Sequence, residues 1–194
     1  VLLFMKCLTC ESISFSIICK SCQKNLLTPS FHKREISKNF FNYSFYAFSE
    51  IEDLISSKYY FHGDRVFNLL AKLSFHKFSK NFNYKENIIA IPIDDHTRHD
   101  FSHTAILAHH LSSKKIKAKY NALKATNIVK YAGKDQEFRK NNPRKFKINN
   151  ICNQTLILCD DLITTGTTIL EAKKALEKKN NKILFSLTLA DAKL

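Results

Sequence analysis

The stretch Leu156–Thr168 reads L-I-L-C-D-D-L-I-T-T-G-T-T, and it places two carboxylates and a turn of hydroxyls and glycine after a short apolar run. Ionised carboxylates accept hydrogen bonds from sugar hydroxyls, or hold a hydrated divalent cation. Backbone N–H groups at a helix start, together with threonine hydroxyls, cradle a phosphate, and Gly166 lets the backbone turn tightly against it. A phosphorylated ribose needs both kinds of group. The bland alternative makes Asp160-Asp161 a solvated strand end and the threonines an N-cap. Strand, acids and turn fall in register, which favours the ligand site.

The elements that must position these groups are legible nearby. Leu156 to Cys159 form a run typical of strands buried on both faces. Ile169, Ala172, Ala175 and Leu176 recur on one face of a following helix. Strand, turn and helix in that order build the crevice at the carboxyl ends of an open α/β sheet. Ile88–Ile93 is a second such strand, followed by Asp94–His99 as a first loop and by a helix over Phe101–Leu111. Lys115–Tyr120 and Lys182–Leu189 read as further strands. The fold class expected is α/β, a parallel sheet flanked by helices. Ahead of it, Ile51–Phe78 has helical spacing, residues 79–87 read as a polar connection, and Phe40–Phe48 suggests one or two strands with rings packed in a core. Leu123–Phe146 is a long polar stretch read as a basic flap that excludes water, with a disordered surface loop as the alternative.

Cys7-x2-Cys10 and Cys19-x2-Cys22 form a C-x2-C-x8-C-x2-C pattern. Four thiolates in two close pairs suit one tetrahedral zinc ion of structural type. Two disulfides or unrelated core cysteines are the alternatives, and disulfides require an oxidising compartment. Histidines 96, 99, 103, 109 and 110 do not form a convincing ligand set with nearby acids; His99 and His103 sit four apart.

The net charge is +14, yet only five of the 31 basic residues are arginine. Such a charge admits a nucleic-acid partner, while the lysine excess also suits simple solvation of the surface. With 44% hydrophobic residues the chain can bury a core. No apolar run reaches the length of a membrane span. Val1–Lys6 is too short an apolar stretch for a secretory signal, and Met5 is an expected initiator.

The Leu156–Thr168 segment resembles the phosphoribosyl-pyrophosphate signature of type I phosphoribosyltransferases: four apolar residues, two acids, two variable residues, then T-T-G-x-T. The resemblance implies that Asp160 and Asp161 bind the ribose hydroxyls. It also implies that Thr164, Thr165, Gly166, Thr167 and Thr168 bind the 5′-phosphate. A four-cysteine zinc knuckle ahead of such a domain is similar to the ComF family of bacterial competence proteins, over residues 7–190. Gln136, Arg139, Asn142 and Phe146 match that family's flap. His99-Asp100-Phe101-Ser102 departs from its R-G-F-N element, keeping only the Phe.

These resemblances imply residues 1–50 as zinc knuckle and connecting segment, with Cys7, Cys10, Cys19 and Cys22 on Zn2+, and residues 51–194 as a phosphoribosyltransferase-like domain. They imply phosphoribosyl pyrophosphate with Mg2+ as ligand, and a cytoplasmic role in DNA uptake with single-stranded DNA and competence proteins as partners. An active phosphoribosyltransferase, with Arg139 covering the leaving group, is one alternative. A zinc-stabilised adaptor for single-stranded DNA or a helicase is another.

Overall fold

The computed structural model describes residues 5–93, 101–127, 142 and 144–194. It opens with a short antiparallel pair, β1 (Met5–Lys6) and β2 (Ile13–Ser14), followed by α1 (Lys20–Leu26). Then come β3 (His32–Ser37), β4 (Phe40–Ala47), α2 (Phe48–Ser56), a 3-10 turn over Ser57–Tyr59, α3 (Gly63–Leu73) and α4 (Phe75–Asn81). β5 (Ile88–Pro92), α5 (His103–His110), β6 (Ile116–Ala118), β7 (Leu123–Ala125) and β8 (Phe146–Ile148) follow. The chain finishes with β9 (Thr155–Ile163), α6 (Thr167–Glu177) and β10 (Lys182–Asp191).

Six strands form the main sheet in the order β3-β4-β10-β9-β5-β6. Every neighbouring pair is parallel except β3–β4. The class is therefore the expected α/β sheet flanked by helices. Parallel strands covered on both faces need apolar side chains on both. In β9, Ile157 and Cys159 pack with Val66, Phe67 and Leu107 of α3 and α5. Leu156 and Leu158 point the other way and pack with Ile169, Ala172 and Leu176 of α6. Among the described residues no helix is long and apolar enough to cross a membrane.

Several elements differ from expectation. The segment read as a connection to the main domain supplies β3 and β4, and β4 pairs with β10 over Asn42–Ala47. Phe40, Phe45 and Tyr46 are buried there, in keeping with the core packing expected of the ring-rich stretch. The central strand does not end at Cys159. It runs on through Asp160 and Asp161 to Ile163, because β10 keeps pairing alongside it as far as Asp191. The two ends of the polar stretch over 123–146 meet as the antiparallel pair β7–β8. Its centre, including Gln136 and Arg139, lies outside the described residues, as do Val1–Phe4 and the first loop over Asp94–His99.

The turn before α3 is closely packed. A Cβ on Gly63 would stand 2.2 Å from the Ser57 carbonyl oxygen and 2.8 Å from the Phe101 ring. Replacing Gly63 with Ala should therefore lower stability by about 2 kcal/mol, within the range for overpacking, read as a fall in the thermal midpoint.

Candidate functional site

β5 stops at Pro92, opposite Cys159, and the amide of Ile93 reaches the Cys159 carbonyl at 2.8 Å. Beyond that point β10 continues to pair with β9 as far as Ile163. Asp160 and Asp161 occupy this stretch, and strand alternation places them on opposite faces of the sheet. Their carboxyl groups nevertheless remain within hydrogen-bonding reach of each other.

Asp161 is the enclosed member. Its Oδ2 accepts a hydrogen bond from Lys58 Nζ at 2.6 Å, and His103 Nε2 stands 3.7 Å from the same oxygen. Its Oδ1 accepts the Leu162 amide at 2.9 Å. Burial alone would raise its pKa, but the Lys58 ammonium and then His103 hold the carboxyl well below the ordinary range. Burial likewise works against the charge on Lys58, and Asp161 more than offsets it, so the ammonium is held protonated.

Asp160 faces the α6 side. Its Oδ1 accepts the Asp161 amide at 2.9 Å. Burial pushes its pKa up, and the negative charge of Asp161 pushes it further, with Arg144 opposing. Arg144 is tied to α6 through its own amide, which donates to Glu171 Oε2 at 2.9 Å.

The turn after β9 delivers the helix start. Gly166 is the N-cap of α6 with φ 83°, ψ 0°, a left-handed conformation that side chains with a Cβ rarely adopt. No side chain caps this helix, so the alternative that makes the threonines an N-cap is not what the structure has. Thr165 and Thr167 hydroxyls are 2.9 Å apart, and the Thr167 amide reaches Thr165 Oγ1 at 3.4 Å. Thr164 to Gly166 form the loop, and Thr167 and Thr168 the first turn. Threonine hydroxyls and first-turn amides thus gather at a helix N-terminus, the chemistry of an anion site.

Four sulfurs gather at the other end of the chain. The Sγ atoms of Cys7, Cys10, Cys19 and Cys22 all lie within 4.8 Å of one another, and all four cysteines are free thiols. Sulfur atoms around tetrahedral zinc, each at about 2.3 Å from the metal, stand about 3.8 Å apart; Cys10 and Cys19 are 3.7 Å apart. Backbone amides of Cys19 and Thr9 donate to Cys7 Sγ at 3.2 and 3.4 Å. Burial raises the Cys7 pKa, but these amides outweigh it and bring the thiol down to about 6. The donor set, spacing and amide support fit a four-sulfur metal site.

Sequence spacing did not reveal Lys58, His103 as a neighbour of Asp161, or Arg34. Arg34 donates through Nη1 to Asp191 and through Nη2 to the Thr164 carbonyl at 2.9 Å. The scarcity of arginine in this lysine-rich chain was the available signal, because a fork-shaped cation is not interchangeable with lysine. His109 and His110 belong elsewhere: His109 Nδ1 meets the Tyr120 hydroxyl, and His110 Nε2 meets Asn68. His96 and His99 lie outside the described residues.

With this geometry in place, residues 101–193 match the phosphoribosyl transferase domain family. No match was found among curated proteins. Among solved structures, the chain is similar to a hypoxanthine phosphoribosyltransferase from Staphylococcus aureus, with 14% identity and a TM-score of 0.42; the match covers 64% of this chain and 62% of that one. It is also similar to the Leishmania donovani UMP synthase, at 16% identity and a TM-score of 0.37, covering 65% of this chain and 22% of that one. A third is the Mycobacterium tuberculosis orotate phosphoribosyltransferase in complex with inorganic phosphate, at 12% identity and a TM-score of 0.39, covering 85% and 76%. The chain thus spans less than two thirds of the first two.

Replacing Asp161 with Asn leaves the Lys58 ammonium enclosed without its counter-charge. The expected loss is about 3 kcal/mol at pH 7, at the low end for broken buried pairs because Lys58 keeps some solvent contact. Since the folded carboxyl titrates below its unfolded value, this stabilisation is fully present above about pH 4 and fades as pH falls below it. Denaturant melts of wild type and variant should therefore converge in acid.

Proposed function

We propose that the chain binds phosphoribosyl pyrophosphate, or a related sugar phosphate, in the crevice after β9, and that it acts as a ComF-like competence factor in the uptake of transforming DNA. The observation that carries the ligand reading is the left-handed Gly166 between a threonine loop and a helix start that no side chain caps, directly downstream of the two acids of β9. The family match over the same residues supports it. In this reading Asp160 and Asp161 serve the ribose hydroxyls, and Thr164, Thr165, Gly166, Thr167 and Thr168 serve the 5′-phosphate. Asp160, next to the threonine loop in sequence, would hold a Mg2+ ion carried by the pyrophosphate; such an ion neutralises the charge developing there. The competence role rests on the resemblance, on the cysteine cluster ahead of the sheet and on the basic surface. Residues 1–50 then serve as a zinc module with its connecting segment, of which β3 and β4 join the sheet of the ligand-binding domain over 51–194.

A second reading, favoured by the same family match, is an active transferase. There an amine or nucleobase attacks C1 of the sugar and the C1–O bond to pyrophosphate breaks. The chain contributes positioning and charge stabilisation, with no covalent nucleophile. A zinc-stabilised adaptor for single-stranded DNA is the reading that the net charge of +14 supports.

Calorimetric titration of the metal-loaded protein with phosphoribosyl pyrophosphate and Mg2+ decides among these. Saturable binding is expected, weakened at least tenfold in Asp160→Asn with an unchanged thermal midpoint. A folded, metal-loaded protein that binds nothing overturns the ligand reading. Pyrophosphate release with an added acceptor identifies the transferase. DNA affinity that collapses with salt, yet survives replacement of both acids by Ala, identifies the adaptor.

For the N-terminal cluster the expected content is one zinc per chain. Cys10→Ser or chelation should release it and expose the amides of residues 5–26 to exchange, because a module this small depends on its metal. Full metal loading in Cys10→Ser would remove the assignment.

A further inference from the structure

The loop that follows β9 is held from outside its own strand–turn–helix segment. Two contacts reach it from β3, three strands away across the sheet. The first is the Arg34 guanidinium. Nη1 engages Asp191, whose side chain is buried at the end of β10, and Nη2 engages the carbonyl of Thr164, the first residue after β9. Asp191 is itself fixed: it pairs in register with Ile163, and its Oδ1 also accepts the Lys193 amide at 2.9 Å. The second contact is Ile36, the nearest neighbour of the position where a Cβ on Gly166 would sit, at 3.4 Å.

We propose that Arg34 is a positioning residue of the phosphate loop, which makes the β3–β4 hairpin part of the ligand site. This rests on the sugar-phosphate reading given above. In a trans peptide the carbonyl of one residue and the N–H of the next point in opposite directions. Pinning the Thr164 carbonyl to Arg34 therefore aims the Thr165 N–H away from β3 and fixes its direction before any ligand arrives. Ile36 then limits how far Gly166 can shift behind it. Preset donors bind an anion without first paying to order the loop. Lysine cannot replace this arginine, because a single ammonium on a flexible stem does not present two diverging donors in a fixed plane.

The test combines ribose 5-phosphate titration with amide exchange in the full-length, metal-loaded protein. Arg34→Met and Arg34→Lys should each weaken ribose 5-phosphate binding at least tenfold. Each should also speed exchange at Thr165–Thr168 by at least as much. Leu111→Ala, a core variant on the opposite face of the sheet, lowers global stability and should leave the protection of that loop against local opening unchanged. A folded Arg34→Met that binds like wild type, or an Arg34→Lys that restores wild-type binding, overturns the proposal. If wild type binds no sugar phosphate, the ligand reading falls by itself and the exchange arm decides. Faster exchange confined to the loop in Arg34→Met then supports the positioning role, and unchanged exchange overturns it.

Discussion

β9 carries its two acids beyond Cys159, its last partner to β5 among the described residues, and the site depends on the strand that supports it there. β10 continues beside it to Ile163, which keeps the strand extended and its side chains alternating. Among the described residues β5 ends at Pro92, opposite Cys159. A strand paired on neither side would not hold the acids in fixed directions.

Alternation along that strand gives two adjacent carboxylates different surroundings. Asp161 enters the face built by α3 and α5 and meets a cation delivered by the turn before α3. Asp160 enters the face of α6 and stays near Arg144. Two like charges this close raise the cost of ionising both, and the protein resolves the conflict by pairing one of them. The pairing also ties the helical segment over 48–81 to the main sheet. Close approach at Gly63, where only glycine leaves room for the Ser57 carbonyl, keeps the turn carrying Lys58 in place.

The N-terminal residues reach the main sheet through a different physics. Around the four sulfurs the backbone turns its amides towards Cys7, so the local fold suits thiolates more than an apolar cluster. A module of this size buries too little apolar surface to be stable on that alone. The hairpin that follows it is anchored in the opposite way, through β4 pairing with β10 and through buried Asn42, which donates to Thr188 at 2.9 Å and accepts from Ser186 at 2.8 Å. Residues 32–47 thus belong structurally to the sheet, although they precede the segment whose sequence carries the signature.

Local pattern was enough to find β5, β9, β10 and the helices flanking the crevice, because apolar runs and helical spacing report burial over a few neighbouring residues. It was enough to find the glycine turn, since a left-handed residue leaves a compositional trace, and the cysteine pairs, since metal ligation fixes short spacings. It fell short for contacts between distant residues. Lys58 and Asp161 are 103 residues apart, and Arg34 and Thr164 are 130 apart. Nothing periodic links such pairs, so one lysine among many on a basic chain cannot be singled out. The acids themselves were legible, but their unlike surroundings were not, because strand length past Cys159 is set by how far β10 runs alongside. The sequence by itself determined the class of sheet, the thiol cluster and the turn at Gly166. Only the tertiary structure decided which carboxylate is enclosed and which cation holds it, because those choices depend on where separate segments meet.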